Sequence, residues 1–395
     1  ARISIIDKSK EIIFEDSCIY NYEFKNPEGW INSCIKLFEG IPIQIKIHLS
    51  RLSISGTSGT LVPCGSNGNI LGNSIPYNEA CTTNSKKLKL IAGEDKFLNN
   101  PYSSLAKAIK LIDTFGEDII LRHQSDWISG WFLNDWSYGE EGNNIKLGWD
   151  IVNKSWPESF ETYSLKKSIP VIKKSGRILG KINKSIANLL GTSEHLLLIS
   201  GTTDSNAAFI AAQVKENEGL TILGTTIVLK KIIQKTFSSP GVTMHRVNDD
   251  WICGGSSNAG CGILSKFFSD SEIIELSQQI NPRTKTTLNY LPLNCTGERF
   301  PIDDPYLKPI IEPRPVSDAL FLHGLLEGLA KIELKGWQKL KTLSGYFPKK
   351  IITIGGGSKN PQWKSIREKT LKIPIINSNK STSFGSALIA LHANF

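Results

Sequence analysis

Leu196-Leu197-Leu198-Ile199-Ser200-Gly201-Thr202-Thr203-Asp204-Ser205 is the stretch on which the fold turns. Its opening aliphatic run is too short for a helix and reads as a buried strand. Gly201-Thr202-Thr203-Asp204 reads as a tight polar turn, and the small apolar residues 205–212 as a helix. A turn that links a buried strand to a helix is where α/β proteins bind ligands. Chemistry alone allows Asp204 two roles there. It can cap the helix by accepting backbone N–H groups. It can also deprotonate an acceptor hydroxyl during phosphoryl transfer. The two roles are compatible.

Outward from this turn, strand-length apolar runs alternate with helical spacing, which predicts an α/β architecture. Ile43, Ile45, Ile47 and Leu49 alternate strictly, so residues 43–55 are expected as a strand ending in the sharp loop Gly56-Thr57-Ser58-Gly59. Residues 105–115 have helical spacing, with Ser103 and Ser104 as candidate caps, and Ile119-Ile120-Leu121 reads as a short strand before a Trp-rich segment. Residues 178–190 are expected as a helix. Residues 221–229 read as strand, polar turn, strand. A long helix from Ala319 to about Leu343 precedes a strand at 351–354 and the loop Gly355-Gly356-Gly357-Ser358-Lys359-Asn360.

Two of these loops suit a nucleotide. Gly224-Thr225-Thr226 offers backbone N–H groups and the Thr225 hydroxyl to a phosphate, although a plain hairpin would look the same. Three consecutive glycines at 355–357 cost conformational entropy, which is tolerated where a flat ligand must lie against the chain. Adenine and ribose fit, with Asn360 and Trp363 near the base. A flexible strand-to-helix link is the alternative.

Composition narrows the function classes. A chain of 395 residues has room for two or three domains, and 40% hydrophobic with 21% charged residues is ordinary for a globular protein. The net charge of +9 comes from scattered lysines, with no Arg-rich stripe and no basic run interleaved with aromatics, so no nucleic-acid partner is expected. Seven cysteines without a C-x-x-C pair speak against a disulfide framework and a zinc site. Nothing reads as a signal peptide, and no apolar stretch reaches the roughly 18 residues of a membrane helix, so a cytoplasmic protein without a membrane partner is expected. Gly176-Arg177-Ile178-Leu179-Gly180-Lys181 is one residue short of a Walker loop and lacks the following Ser/Thr. Hydrolase elbow, zincin and protein-kinase motifs are missing too.

Taken in order, the loops resemble the FGGY carbohydrate kinase family of the actin/hexokinase/Hsp70-like superfamily. Ser55 to Thr60 resembles its early sugar loop. Ser125 to Gly130 and Asn143 to Asp150 resemble its "DW…G" and "N-x-x-K-L-G-Y-D" segments. Gly201-Thr202-Thr203-Asp204-Ser205 resembles the catalytic turn, Gly224-Thr225-Thr226 the second phosphate hairpin, and the Gly355 loop the adenosine motif. Gly297-Glu298-Arg299 and Ser383-Phe384-Gly385-Ser386-Ala387 also fall in place.

The resemblance implies two ribonuclease-H-like domains around a central cleft. Residues 1–211 would be the sugar-binding domain, with a C-terminal helix at 385–395 packing back on it, and residues 212–384 the nucleotide-binding domain. It further implies a carbohydrate kinase using ATP and Mg²⁺, a monomer or weak homodimer. Asp204 would be the general base and would meet the metal only through Mg-ATP. Thr57, Ser58, Asp204 and Ser205 would bind the sugar. Gly224, Thr225, Thr226, Gly356, Gly357, Asn360 and Trp363 would bind the nucleotide. Xylulokinases carry Gln-Met-His-Gly where this chain has Gly56-Thr57-Ser58-Gly59. The shorter Ser58 favours D-ribulose over D-xylulose and points to the short ribulokinase-like group. Family members open with a D-x-G-T-type phosphate loop, whereas Ala1-Arg2-Ile3-Ser4-Ile5 resembles the strand after it. The sequence is therefore expected to be truncated, with a non-catalytic sugar- or nucleotide-binding relative as the alternative.

Overall fold

In a computed structural model, described for residues 1–20, 22–247 and 249–393, the chain is mixed α/β. The last two residues of the helix expected at 385–395 lie outside the described residues; the helix itself spans Thr382–Leu391. The chain divides into two compact units. The first comprises Ala1–Ala211, Arg246–Asp249 and Lys380–Phe395, the second Ala212–His245 and Asp250–Asn379.

In the second unit a single sheet runs in the order Val242–Val247, Asp250–Ser256, Ile227–Ile233, Glu218–Leu223, Lys350–Ile354, Ile375–Asn377. Glu218–Leu223 pairs antiparallel with Ile227–Ile233 on one side and parallel with Lys350–Ile354 on the other. Glu218–Leu223, Ile227–Ile233 and Asp250–Ser256 in antiparallel pairing, joined to two parallel strands, fit the ribonuclease-H-like arrangement expected from the sequence. The helix Asp318–Ser344 supplies most of the cover. Ser317 caps its start by accepting the Leu320 N–H, and Gly345 ends it at φ +86°. Its apolar stripe of Phe321, Leu325, Leu329, Ile332, Trp337 and Leu340 is buried in the core, each side chain contributing roughly 1.5–3 kcal/mol.

In the first unit the strand Leu197–Thr203 lies between Arg51–Gly56, which it pairs in parallel, and Ile178–Lys181, which it pairs antiparallel. Arg2–Ile6 and Ile12–Ser17 form a separate hairpin. The helix Thr382–Leu391 packs on the helix Asp204–Ala211, burying Ala211, Phe384 and Leu388 together.

Three expectations are corrected. Gly201-Thr202-Thr203 is not a turn but the buried end of the strand Leu197–Thr203, paired with Arg51–Gly56, and the helix begins directly at Asp204. Residues 43–49 are not a strand: Ile43–Lys46 is one helical turn, and the strand is Arg51–Gly56. The alternating isoleucines also satisfy a four-residue period, with Ile43 and Ile47 exposed and Ile45 and Leu49 against the core, and Pro42 starts the turn. Residues 178–190 are not one helix. Ile178–Lys181 is a strand, and the helix Lys184–Leu190 starts only where Asn183 accepts the Ser185 N–H. The false Walker loop is the turn into that strand.

Candidate active site

In the first unit, parallel pairing sets loop 56–60 beside the start of the helix Asp204–Ala211. Ser55 is in register with Thr202 and Gly56 with Thr203, so loop 56–60 and the helix that begins at Asp204 leave the same end of neighbouring strands. Gly201 makes the pairing possible, since a Cβ there would lie 1.8 Å from the Ile54 carbonyl oxygen. The register shifts at that point, between Ser53 and Ser55.

Asp204 is the first residue of its helix and is exposed. The N-cap position expected for it is held by Thr203, whose Oγ1 accepts the Asn206 N–H at 3.2 Å. The Asp204 Oδ1 accepts the N–H of Ser205 at 2.6 Å, which orients the carboxylate. The Ser205 hydroxyl stands 3.4 Å from Thr203 Oγ1. Asp204 borders a cavity of about 730 Å³ whose walls also include Ser55, Gln124, Ser383 and Ser386. Ser386 donates to Ser55 at 2.8 Å.

Loop 56–60 is held in detail. The Thr57 N–H and hydroxyl both donate to Gln124 Oε1, at 2.9 and 3.0 Å, and the Thr60 hydroxyl lies 2.7 Å from that of Thr57. The Thr57 hydroxyl is thus committed within the loop. The Ser58 hydroxyl has no protein partner among the described residues, while the Ser58 carbonyl accepts from Lys146 at 3.0 Å. Of the sugar-site residues expected from sequence, Asp204 is exposed, and Ser58, Thr57 and Ser205 are partly exposed.

The two motif segments quoted beside this loop dock on each other. Asp126 accepts the Glu140 N–H at 3.0 Å and the Asn144 side chain at 3.1 Å, and Asn143 donates to Ser125 at 3.1 Å. Burial pushes the Glu140 carboxyl well above its usual range, against the hydrogen bonds it accepts from Gly142 and Asn143. This network is scaffold. It carries Gln124 and Lys146 to the loop. Neither residue was singled out from the sequence, although Gln124 directly precedes the Ser125-Asp126-Trp127 motif and Lys146 lies inside the other one.

The second unit repeats the pattern. Ile222 is in register with Ile354 on parallel strands, so Gly224-Thr225-Thr226 and the Gly355 loop leave adjacent strand ends. Gly355 sits at φ +95°, and a Cβ on it would be 2.5 Å from the Leu223 carbonyl oxygen, so only glycine fits. A Cβ on Gly356 would meet nothing within 4 Å; its face is open. The Thr225 side chain is exposed, and its carbonyl accepts from Asn294 at 2.9 Å and from the Gly262 N–H at 3.2 Å. The Cys261 N–H donates to the Gly224 carbonyl at 2.8 Å. These supporting residues were missed, though the Gly260-Cys261-Gly262 pattern signals a close backbone approach: a Cβ on Gly260 would be 2.5 Å from Thr225 O.

Two residues expected around adenosine do other work. Trp363 is 1% exposed, its ring under Gly357 in the hydrophobic core. Asn360 caps the helix Pro361–Leu371 by accepting the Trp363 N–H at 2.9 Å and donates to Ser277 at 2.7 Å. Both shape the loop from beneath rather than frame a base.

Beneath this loop pair lies a buried ion pair. Arg367 donates to both oxygens of Glu333, at 2.6 and 2.8 Å, and to Thr353 at 3.0 Å, while Thr221 donates to Glu333 at 2.6 Å. Thr221 and Thr353 lie on the strands that end in the two loops, so one network ties both strands to the long helix.

Comparison with known proteins gives a consistent result. The model of the FGGY family of carbohydrate kinases, C-terminal domain, matches residues 186–394. A ligand-bound xylulose kinase from Lactobacillus acidophilus has a TM-score of 0.82 at 14% identity, over 99% of this chain and 86% of that one. A gluconate kinase from the same organism gives the same values. Plasmodium falciparum glycerol kinase with ADP has a TM-score of 0.81 at 18% identity, over 98% of this chain and 86% of that one. The mixed α/β fold with two actin-like ATPase domains, expected from sequence, is borne out.

Proposed function

The chain belongs to the FGGY family of carbohydrate kinases, and we propose that it uses ATP to phosphorylate a ketopentose, D-ribulose to D-ribulose 5-phosphate in preference to D-xylulose. The observation that carries this reading is the parallel register of Ser55 with Thr202 and Gly56 with Thr203, which brings the Ser58 loop and Asp204 to one strand end. Asp204 takes the proton of the attacking hydroxyl, and its bond from the Ser205 N–H holds the carboxylate in place. Ser58 offers the sugar a short hydroxyl where a bulkier side chain would narrow the pocket.

The nucleotide reading rests on the second unit. The open face of Gly356 and the exposed Thr225 hydroxyl fit a nucleotide, while Gly355 and Gly357 let the backbone run close to Leu223. The ADP held by the similar glycerol kinase supports a nucleotide as the ligand. Mg²⁺ would accompany the phosphates and neutralise their charge. The described residues contain no group of three or more His, Cys, Asp and Glu that could hold a metal ion by themselves. No described helix is long and apolar enough to cross a membrane. A cytoplasmic monomer or weak homodimer, working on small molecules, completes the reading.

The test is ADP release from Mg-ATP with D-ribulose, D-xylulose and the corresponding pentitols. Release with D-ribulose, at a kcat/KM above that for D-xylulose, supports the reading. A higher kcat/KM for D-xylulose replaces the substrate, and the same rate with every sugar and with none overturns the kinase.

A further inference from the structure

Among the described residues, Lys107 has no carboxylate partner. It lies on the helix Ser104–Phe115, fully buried, and its ammonium donates to the carbonyls of Gly59 at 2.7 Å, Tyr77 at 3.2 Å and Tyr102 at 3.2 Å. Those three carbonyls use all three donors of an ammonium. Burying such a cation is costly, and a buried lysine usually has an acidic partner. Here it gathers main chain instead, tying Gly59 of loop 56–60 to the backbone at Tyr77 and Tyr102. Gly59, at φ +95°, presents its carbonyl to Lys107, and the preceding Ser58 carbonyl is held by Lys146. Tyr77 belongs to the same knot, since its N–H donates to the Thr60 hydroxyl at 3.1 Å.

We propose that Lys107 is a positioning residue for sugar binding: its ammonium locks the Gly59 carbonyl and so fixes where the Ser58 hydroxyl stands. This rests on the placement of the sugar at loop 56–60. The consequence is a pH dependence. Burial, with help from the nearby Lys146 charge, lowers the Lys107 pKa to about 8, while Cys81 and Glu79 act in the opposite direction. Glu79 is already engaged by Lys25 at 2.7 Å and Lys110 at 3.8 Å. A neutral amine keeps only two N–H donors and turns a lone pair toward carbonyl oxygens, so one of the three carbonyls loses its bond. The folded state binds fewer protons here than the unfolded chain between the two pKa values. Global stability from this group therefore rises with pH while the loop loosens. Unfolding cannot imitate that combination.

The experiment joins hydrogen exchange of segment 56–61 to sugar kinetics, in the wild type, Lys107→Arg and Lys107→Met. The wild type should lose about tenfold of its loop protection between about pH 7 and pH 9, after correction for intrinsic rates. Lys107→Met should lack that protection at both values, and Lys107→Arg, which stays charged, should keep it at both. The sugar KM should follow, rising about tenfold in the wild type and flat with pH in both variants, with the KM for ATP unmoved. Loop protection indifferent to pH in the wild type overturns the clamp, even if Lys107→Met fails to fold. Protection that responds while the sugar KM does not overturns its link to the sugar. If the wild type phosphorylates no pentulose, the ketopentose reading falls, and exchange alone decides the clamp.

Discussion

Gly385 lies against Ala207 so closely that a Cβ on Gly385 would stand 1.9 Å from the Ala207 carbonyl oxygen. The helix Thr382–Leu391 therefore crosses the helix Asp204–Ala211 at backbone distance, and the second of these begins with the proposed base. Gly385→Ala should cost about 1–3 kcal/mol through overpacking. It should also lower kcat by displacing Asp204. Calorimetry and kinetics check the two effects, and a variant that melts and turns over like the wild type would contradict the contact.

Asp204→Asn keeps an oxygen for the Ser205 N–H but removes the base. Turnover should fall by about 10²–10⁴-fold with nucleotide affinity unchanged. Isothermal titration with ADP beside steady-state kinetics separates the effects. Preserved turnover would take the base role from Asp204.

The glycines of the second unit divide by the space around them. Gly355→Ala should destabilise by about 1–3 kcal/mol, because it needs both an unfavourable φ and room that the Leu223 carbonyl occupies. Gly356 has open space, so Gly356→Val should fold with nearly wild-type stability and, if the nucleotide lies where we propose, should bind ADP at least about tenfold more weakly. Undiminished ADP binding by Gly356→Val would place the nucleotide elsewhere.

Glu333 and Arg367 are each about 1% exposed, so removing one strands the other. Glu333→Ala should cost about 3–5 kcal/mol, whereas Glu333→Met with Arg367→Met should recover much of it, since burying an intact pair is itself expensive. Denaturant melts of the single and double variants give the answer. A single variant as stable as the wild type would show that the pair does not brace the strands.

Much was legible from local pattern. The aliphatic opening of the strand Leu197–Thr203, the hairpin around Gly224 and the long helix Asp318–Ser344 have a periodicity and punctuation that agree with their tertiary setting, whereas Gly201–Thr203 reads locally as a turn and becomes strand by pairing with Arg51–Gly56. Residues 43–49 misled because Ile43, Ile45, Ile47 and Leu49 fit both a two-residue and a four-residue period, and packing of Ile45 and Leu49 chose the latter. Ile178–Lys181 misled because its identity as a strand comes from pairing with Leu197–Thr203, which no local period records.

By itself the sequence determined the order of the glycine- and threonine-rich loops, their placement at strand ends and the family they spell. Only the tertiary structure decided which atoms in those loops remain available. The Thr57 hydroxyl is taken by Gln124, Thr203 stands at the helix N-cap with Asp204 one residue inside it, and Trp363 lies buried beneath the Gly357 loop. Hydrogen-bond occupancy and burial are set by partners distant in the chain, as Lys107 is to Gly59, and a motif names residue types without naming what each already holds.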